Sequence, residues 1–289
     1  MNIGCHGLVW TGEFDAAGIR LAVEKTARAG FDLIEFPLMD PFAFDVEAAK
    51  EALAEHGLAV SASLGLSDAT DITSPDADVV AAGEALLIRA VDVLAELGGT
   101  HFCGVIYSAM RKYMMPVTPE GLASSRAVIG RVADHAASRG VQVSLEVVNR
   151  YETNVLNTAR QAIGYLAEVD RPNLGIHLDT YHMNIEESDM AAPVLDAAPG
   201  LRYVHIGESH RGYLGTGTVD FDTFFKALGR IGYDGPIVFE SFSSAVVAED
   251  LSRMLGIWRN LWTDNEELGA HANRFIRDKL VAVDSIRLH

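Results

Sequence analysis

Cysteine is scarce in this 289-residue chain, and the two that are present, Cys5 and Cys103, lie in apolar runs. One disulfide is arithmetically possible, but we expect two buried free thiols in a reducing compartment. No apolar run approaches the roughly 20 residues that a membrane-spanning helix needs. The sequence starts without the basic and apolar regions of a signal peptide, so we expect a cytoplasmic protein with no membrane partner.

Basic residues are also few: 23 Lys and Arg against 40 Asp and Glu give a formal net charge of −17. A protein that holds a phosphate backbone needs a basic surface, so we expect no nucleic-acid partner. Apolar material is abundant instead, since hydrophobic residues make up 49% of the chain. This composition excludes disorder and provides for a large buried core.

Short β-rich runs alternate with amphipathic stretches along the whole chain, and Gly follows several of the stretches, where a left-handed residue ends a helix. The predicted strands are residues 3–8, 33–37, 59–64, 101–106, 142–147, 174–179, 203–207 and 236–241. The predicted helices are residues 16–29, 46–56, 79–97, 119–139, 158–168 and 221–228, one after residue 245, and a final one over 265–283.

About eight strand–helix units with no break in composition favour a closed barrel over an open doubly wound sheet. The first strand is not followed by a Gly-x-Gly-x-x-Gly motif, which also favours the barrel. The one Gly-x-Gly, at 215–217, is interpreted as a turn before a helix capped by Asp220 or Asp222. We therefore predict an α/β fold with a single (β/α)8 TIM-barrel catalytic domain over residues 1–289, of which 265–289 form a C-terminal helical extension.

Four residues of metal-ligating types fall late in four consecutive predicted strands. In chain order they are Glu146, Asp179, His205 and Glu240, separated by 33, 26 and 35 residues, each about one strand–helix unit. In a barrel the C-terminal strand ends meet at one rim. Three carboxylates there would raise each other's pKa unless a cation lay between them. The pattern thus predicts a divalent-cation site, and its mainly oxygen donors favour Mn²⁺, Mg²⁺ or Co²⁺ over a thiolate zinc site.

Each of the four residues, taken alone, also fits a plainer role as a solvated rim residue, a helix cap or a core histidine. Glu35 ends a predicted strand too, and the sequence leaves open whether it supports the site, binds substrate or is structural. His6 and Trp10 are candidates for the mouth of the barrel, whereas His101 starts its strand and is interpreted as structural.

Residues 107–116 form a long apolar segment for a loop, with Met110, Met114 and Met115 in it. Such a segment either covers substrate or forms a subunit contact, and the sequence does not separate the two. In the final predicted helix, Leu268, Phe275, Ile276 and Leu280 share one stripe, which we expect to pack on the outside of the barrel.

Three longer segments carry a family resemblance: Ser-Leu-Glu-Val-Val-Asn-Arg-Tyr-Glu at 144–152, His-Leu-Asp-Thr-Tyr-His-Met-Asn-Ile-Glu-Glu at 177–187, and Val-His-Ile-Gly-Glu-Ser-His-Arg at 204–211. They resemble the ketose 3-epimerases, the D-tagatose, D-allulose (D-psicose) and L-ribulose 3-epimerase group. The resemblance runs over essentially the whole chain and is greatest to the D-allulose and L-ribulose members.

The resemblance implies a xylose-isomerase-like TIM barrel with one Mn²⁺, Mg²⁺ or Co²⁺ per subunit, held by the four residues named above. It implies that Glu152, His182 and Arg211 bind the hydroxyls of a small ketose near C1 to C3, and that the protein is a homo-oligomer, a dimer or a tetramer. Several tagatose-type members carry an aromatic residue where His6 stands, which leaves the preferred ketose open.

The implied reaction is metal-dependent C3 epimerisation of free ketoses such as D-fructose, D-allulose, D-tagatose and L-ribulose. A proton leaves the carbon beside the C2 carbonyl, and one returns to the opposite face of the resulting enediolate. Glu146 and Glu240 are the expected pair of bases.

Three rival functions stay open at this point. An aldose–ketose isomerase on the same scaffold would move hydrogen between C1 and C2. A metal-dependent endonuclease is disfavoured by the acidic charge. A non-catalytic sugar-binding protein would require the ligand set to be vestigial.

Overall fold

The computed structural model describes residues 1–287 and shows eight parallel strands closed into one barrel, in chain order around the ring. The strands are Ile3–His6 (β1), Leu33–Pro37 (β2), Ala59–Ser63 (β3), His101–Gly104 (β4), Gln142–Val147 (β5), Leu174–Asp179 (β6), Leu201–Ile206 (β7) and Ile237–Phe239 (β8). Pairing of β1 with β8 closes the ring, with Ile3 opposite Ile237. The predicted (β/α)8 barrel is confirmed.

Helices cover the outside of the barrel. They are Ala16–Arg28 (α1), Val46–His56 (α2), Ala77–Glu96 (α3), Pro119–Ser138 (α4), Ala159–Val169 (α5), Thr180–Glu186 (α6), Ala192–Ala197 (α7), Phe221–Ile231 (α8), Glu249–Met254 (α9) and Asn265–Arg287 (α10). Short 3-10 turns lie at Gly7–Val9 and Asp68–Thr70.

Local signals explain the helices that the sequence predicts well, and α2 is an example. The Asp45 carboxylate accepts the backbone N–H of Ala48 and caps the first turn. Gly57 ends the helix in the left-handed region, with φ of 65°. Between these caps Ala49, Ala52 and neighbouring apolar residues are buried.

The short elements are where prediction and structure differ. Helices α6 and α7 are absent from the prediction because six or seven residues are too few to show a helical period. The predicted strand 101–106 ends at Gly104, whose φ is 119° and whose missing Cβ would lie 2.2 Å from the Leu64 carbonyl oxygen. The predicted strand 236–241 is shortened to β8, so that Glu240 lies just beyond it.

The C-terminal helix α10 packs against α8, β1 and β8, as its apolar stripe predicts. Leu268 and Ile276 are fully buried there, and Phe275 and Leu280 are partly buried against the same core. The last two residues of the predicted extension, 288–289, lie outside the described residues. In the described chain, no helix is both long and apolar enough to cross a membrane.

Both cysteines are buried free thiols, as predicted. The Gly-x-Gly segment is a turn before α8, and of the two candidate caps it is Asp220 that accepts the Thr223 N–H.

Candidate active site

The C-terminal ends of β5 to β8 bring the four predicted metal-ligating residues to one place. Glu146 is the next-to-last residue of β5, and His205 holds the same place in β7. Asp179 ends β6, and Glu240 follows β8 directly. One ligand atom from each of the four lies within 4.8 Å of the other three, and all four residues are buried.

The His205 ring is oriented towards the three carboxylates. Its Nδ1 atom lies 3.5 Å from Glu240 Oε1, 3.8 Å from Glu146 Oε1 and 3.9 Å from Asp179 Oδ2. This nitrogen is buried and has no hydrogen-bond partner within residues 1–287. A free nitrogen lone pair among three carboxylates fits a divalent cation, since these donors suit Mn²⁺, Mg²⁺ or Co²⁺.

The electrostatics divide the carboxylates into two kinds. Burial raises the pKa of Glu146 well above its usual range, and the nearby Glu240 and Asp179 charges add to that rise. Burial likewise raises the pKa of Asp179 to about 6, against the opposing effect of Arg211. Burial also acts to raise the pKa of Glu240, but Arg211 and His205 outweigh it and hold that pKa well below its usual range.

Arg211 reaches this cluster from the loop after β7. Its Nη1 donates to Glu240 Oε2 at 2.7 Å and to Asp179 Oδ2 at 3.2 Å. The residue adopts a left-handed backbone, with φ of 58°, which is unusual for a side chain of this size. Its carbonyl oxygen accepts the Ser241 hydroxyl and, at 3.2 Å, the Trp262 indole N–H, so the strained backbone is fixed by two donors.

Two aromatic rings and one glycine hold the Arg211 guanidinium. The guanidinium carbon lies 3.9 Å from the centre of the Tyr181 ring and 5.2 Å from that of Phe242. A Cβ at Gly207 would lie 2.8 Å from Nη1, so glycine leaves the space that the guanidinium occupies. The sequence predictions missed all three of these residues, although Tyr181 and Gly207 lie inside the segments that carry the family resemblance.

A buried carboxylate organises the loop that carries Arg211. Glu208 accepts backbone N–H groups from Ser209 at 2.7 Å, Gly215 at 2.9 Å and Val219 at 3.3 Å. A Cβ at Gly217 would lie 2.4 Å from Glu208 Oε1. The Gly-x-Gly turn therefore wraps around this carboxylate, which gives a physical reason for both glycines.

His182 and Glu152 line the same pocket as Arg211 and share one partner, Asn149. The Asn149 backbone N–H and side-chain amide both donate to His182 Nδ1, at 3.2 and 2.8 Å, which places the ring proton on Nε2. The same amide donates to Glu152 Oε1 at 2.8 Å. Burial raises the pKa of Glu152 to about 7 and lowers that of His182 well below its usual range.

A pocket of about 700 Å³, including its open mouth, lies above the cluster. Six of the seven predicted site residues line it: Glu146, Glu152, His182, His205, Arg211 and Glu240; Asp179 lies within the cluster without lining the pocket. Its opposite wall comes from the β1–β4 side and includes His6, Ser63 and Met110.

Of the two residues expected at the mouth of the barrel, only one lies there. His6 lines the pocket, but Trp10 packs beneath α10, where a Cβ at Gly269 would lie 2.2 Å from its ring. The methionines of the 107–116 segment lie in two different environments. Met110 lines the pocket, whereas Met114 and Met115 are 83% and 75% exposed.

A family model described as a xylose isomerase-like TIM barrel matches residues 23–277. The chain is 78% identical over 289 residues to a ketose 3-epimerase from Arthrobacter globiformis, with all of both chains covered. It is 54% identical to an L-ribulose 3-epimerase from Methylomonas sp. (strain DH-1), covering 96% of this chain and 98% of the relative.

Among solved structures, a D-allulose 3-epimerase from Methylomonas sp. in complex with D-allulose superposes with a TM-score of 0.95 at 54% identity, covering 96% of this chain and 97% of that one. Sequence and structure agree over nearly the full length. This chain belongs to the ketose 3-epimerases, isomerase-class enzymes built on the xylose isomerase-like TIM barrel.

Proposed function

We propose that this enzyme inverts the configuration at C3 of a free ketose with the help of one divalent cation. The Methylomonas relative crystallised with D-allulose supports a small keto-sugar as the substrate. Glu146, Asp179, His205 and Glu240 would hold the cation, because their donor atoms converge and the His205 Nδ1 has no other partner within the described chain. When bound, Mn²⁺, Mg²⁺ or Co²⁺ would supply Lewis-acid polarisation of the sugar carbonyl.

The protein's part in the reaction is carried by the pair Glu146 and Glu240. They come from β5 and β8, with β6 and β7 between them, so they approach the centre of the pocket from different sides. Their pKa values are shifted in opposite directions, upwards for Glu146 and downwards for Glu240. One carboxyl is thus biased to hold a proton while the other is biased to accept one.

The convergence of the four donor atoms, each within 4.8 Å of the others, is the single observation that carries the proposal. One of the two glutamates, in its ionised form, removes the proton from C3, and the other, in its protonated form, returns one to the opposite face of the enediolate; the reverse reaction exchanges the roles. Glu152, His182 and Arg211 would orient the sugar hydroxyls near C1 to C3. His182 offers an Nε2–H, and Arg211 offers guanidinium N–H groups, as donors to sugar oxygens.

The test is turnover of D-fructose, D-allulose, D-tagatose and L-ribulose by the purified protein with Mn²⁺ or Mg²⁺, and again after EDTA. We expect the C3 epimer by chromatography, and loss of turnover with EDTA that the cation restores. Formation of an aldose would instead support the aldose–ketose isomerase, and full activity after exhaustive chelation would contradict the metal requirement.

We further infer a homo-oligomer, a dimer or a tetramer. Met114 and Met115 expose large apolar side chains next to each other on the 107–116 segment, a feature typical of a surface that another subunit covers. Light scattering on the purified protein tests this, and a monomer at micromolar concentration would contradict it.

A further inference from the structure

Glu35 is a buried carboxylate behind the cluster, and nothing above assigns it a role. It lies in the middle of β2 with none of its surface exposed, and it does not line the pocket, which rules out direct contact with a substrate there. Within residues 1–287 it pairs with neither Lys nor Arg. A buried carboxylate without such a partner is costly to keep, so its remaining contacts must account for it.

The contacts of Glu35 lead across the barrel interior to His205. The His205 Nε2 lies 2.8 Å from Glu35 Oε2, and the Tyr203 hydroxyl donates to that same oxygen at 2.7 Å. Because the single Tyr203 hydroxyl proton points to Glu35, the Ser61 hydroxyl at 2.6 Å must donate to the tyrosine oxygen. Three side chains from two strands therefore orient the carboxylate.

The second Glu35 oxygen faces a further donor. The Leu8 N–H donates to His6 Nδ1, so the proton of the neutral His6 ring resides on Nε2. This Nε2 lies 3.4 Å from Glu35 Oε1 and 3.2 Å from the Ser63 hydroxyl. Glu35 Oε1 has no hydrogen-bond partner within the described residues, with the His6 Nε2–H 3.4 Å away. Glu35 Oε2 accepts two donors, an arrangement that suits an ionised carboxylate and that an amide NH₂ at that place would break.

We propose that Glu35 is a positioning residue that fixes the tautomer and the orientation of His205 for cation binding. By accepting the Nε2 proton, it leaves the Nδ1 lone pair free and directed at Glu146, Asp179 and Glu240. A carboxylate behind a metal-bound imidazole also makes the ring a better electron donor. This inference rests on the metal dependence proposed above.

The test is Glu35→Gln, with Mn²⁺ affinity measured from the electron paramagnetic resonance signal of the free ion. The substitution keeps the size of the side chain but turns an amide NH₂ towards at least one existing donor. We expect the dissociation constant for Mn²⁺ to rise by about 10- to 100-fold, while the metal-free protein melts close to the parent temperature.

Asp92→Asn is the matched control, because it also removes a carboxylate that contacts a histidine ring, His135 Nε2 at 2.9 Å, but one that lies between helices α3 and α4. Its Mn²⁺ affinity should stay within about twofold of the parent. The parent titration separates the two proposals: a parent that does not bind Mn²⁺ refutes the proposed metal dependence itself. A parent that binds, with Glu35→Gln binding equally well, refutes only the role of Glu35.

Should Glu35→Gln fail to fold, Tyr203→Phe decides, because it removes one of the two donors on Glu35 Oε2 and keeps the ring that packs on His205. We expect Mn²⁺ affinity to fall by about two- to tenfold. If Tyr203→Phe binds Mn²⁺ as tightly as the parent but melts at a lower temperature, the Glu35 contacts serve folding alone, and the proposal is overturned.

Discussion

The two halves of the barrel rim contribute different chemistry to one pocket. The β5–β8 half supplies the three carboxylates and the imidazole; Glu35 holds His205 from behind, and Arg211 donates to Asp179 and Glu240. The β1–β4 half supplies Met110, Ser63 and His6 to the facing wall. In the proposed mechanism, the β5–β8 half would therefore carry out the proton transfer, and the β1–β4 half would shape the space for the sugar.

The largest effect on turnover is expected in the β5–β8 half, from Glu240→Gln. Loss of one of the two bases should reduce kcat by about 10³-fold or more, since a positioned general base contributes roughly 10²- to 10⁴-fold. Circular dichroism should show an intact fold because the amide fills the same volume. Glu249→Gln, at an exposed helix end, is the control and should keep parent kcat. Substantial epimerisation by Glu240→Gln would remove Glu240 from the mechanism.

The next effect concerns pH and the cation. Burial raises the pKa of Asp179 to about 6, so below pH 6 a proton occupies the carboxylate and competes with the metal. Mn²⁺ affinity should therefore fall as the pH drops from 7 to 5, by up to about tenfold per pH unit for each competing proton. The raised pKa of Glu146 acts in the same direction. Equal Mn²⁺ dissociation constants at pH 5 and pH 8 would contradict this.

A smaller effect is expected from Gly207→Ala, which adds a Cβ 2.8 Å from Arg211 Nη1. Displacing the guanidinium, which the account assigns to substrate binding, should raise KM by about tenfold. Gly164→Ala is the matched control, because a Cβ there meets no atom of the described chain within 4 Å. It should keep the parent KM and, inside α5, stabilise the fold by about 0.5–1 kcal/mol. Equal KM values for the two variants would contradict the proposed role of Arg211.

The smallest effect on activity is expected in the β1–β4 half, from Met110→Ala. Removing this contact should change kcat/KM by up to about tenfold and alter the ratio between two ketoses, with Mn²⁺ affinity unchanged. Met114→Ala, 83% exposed on the same segment, should leave that ratio as it was. A large loss of Mn²⁺ affinity in Met110→Ala would contradict the assignment of metal binding to the β5–β8 half alone.

The sequence predicts the barrel well because each strand or helix carries its own local signal. Strands β2, β5 and β6 and helix α2 have the predicted bounds, since buried runs and capping residues mark both their ends. The shorter α6 and α7 lack such a pattern. Asp179 shows the difficulty: it ends β6 and, at the same time, caps α6 by accepting the Tyr181 N–H.

The site was predictable only in part for a similar reason. Spacing by strand–helix units predicts four residues on one rim, and the structure brings all four together: Glu146, Asp179, His205 and Glu240. The residues that fix this cluster contact it from distant parts of the chain: Glu35 lies 170 residues from His205, and Trp262 lies 51 residues from Arg211. The hydrophobic periodicity of the sequence does not indicate such long-range contacts, because they depend on side-chain packing inside the closed barrel.

Deuterium incorporation is the most direct test of the central claim that Glu146 and Glu240 move protons to and from C3. The parent enzyme, loaded with Mn²⁺, is incubated with D-fructose in D₂O, and the epimeric product is analysed by NMR. We predict deuterium at C3 of the product, and no such product from Glu240→Gln. Epimer formed with hydrogen fully retained at C3 would contradict the proton transfer on which the account depends.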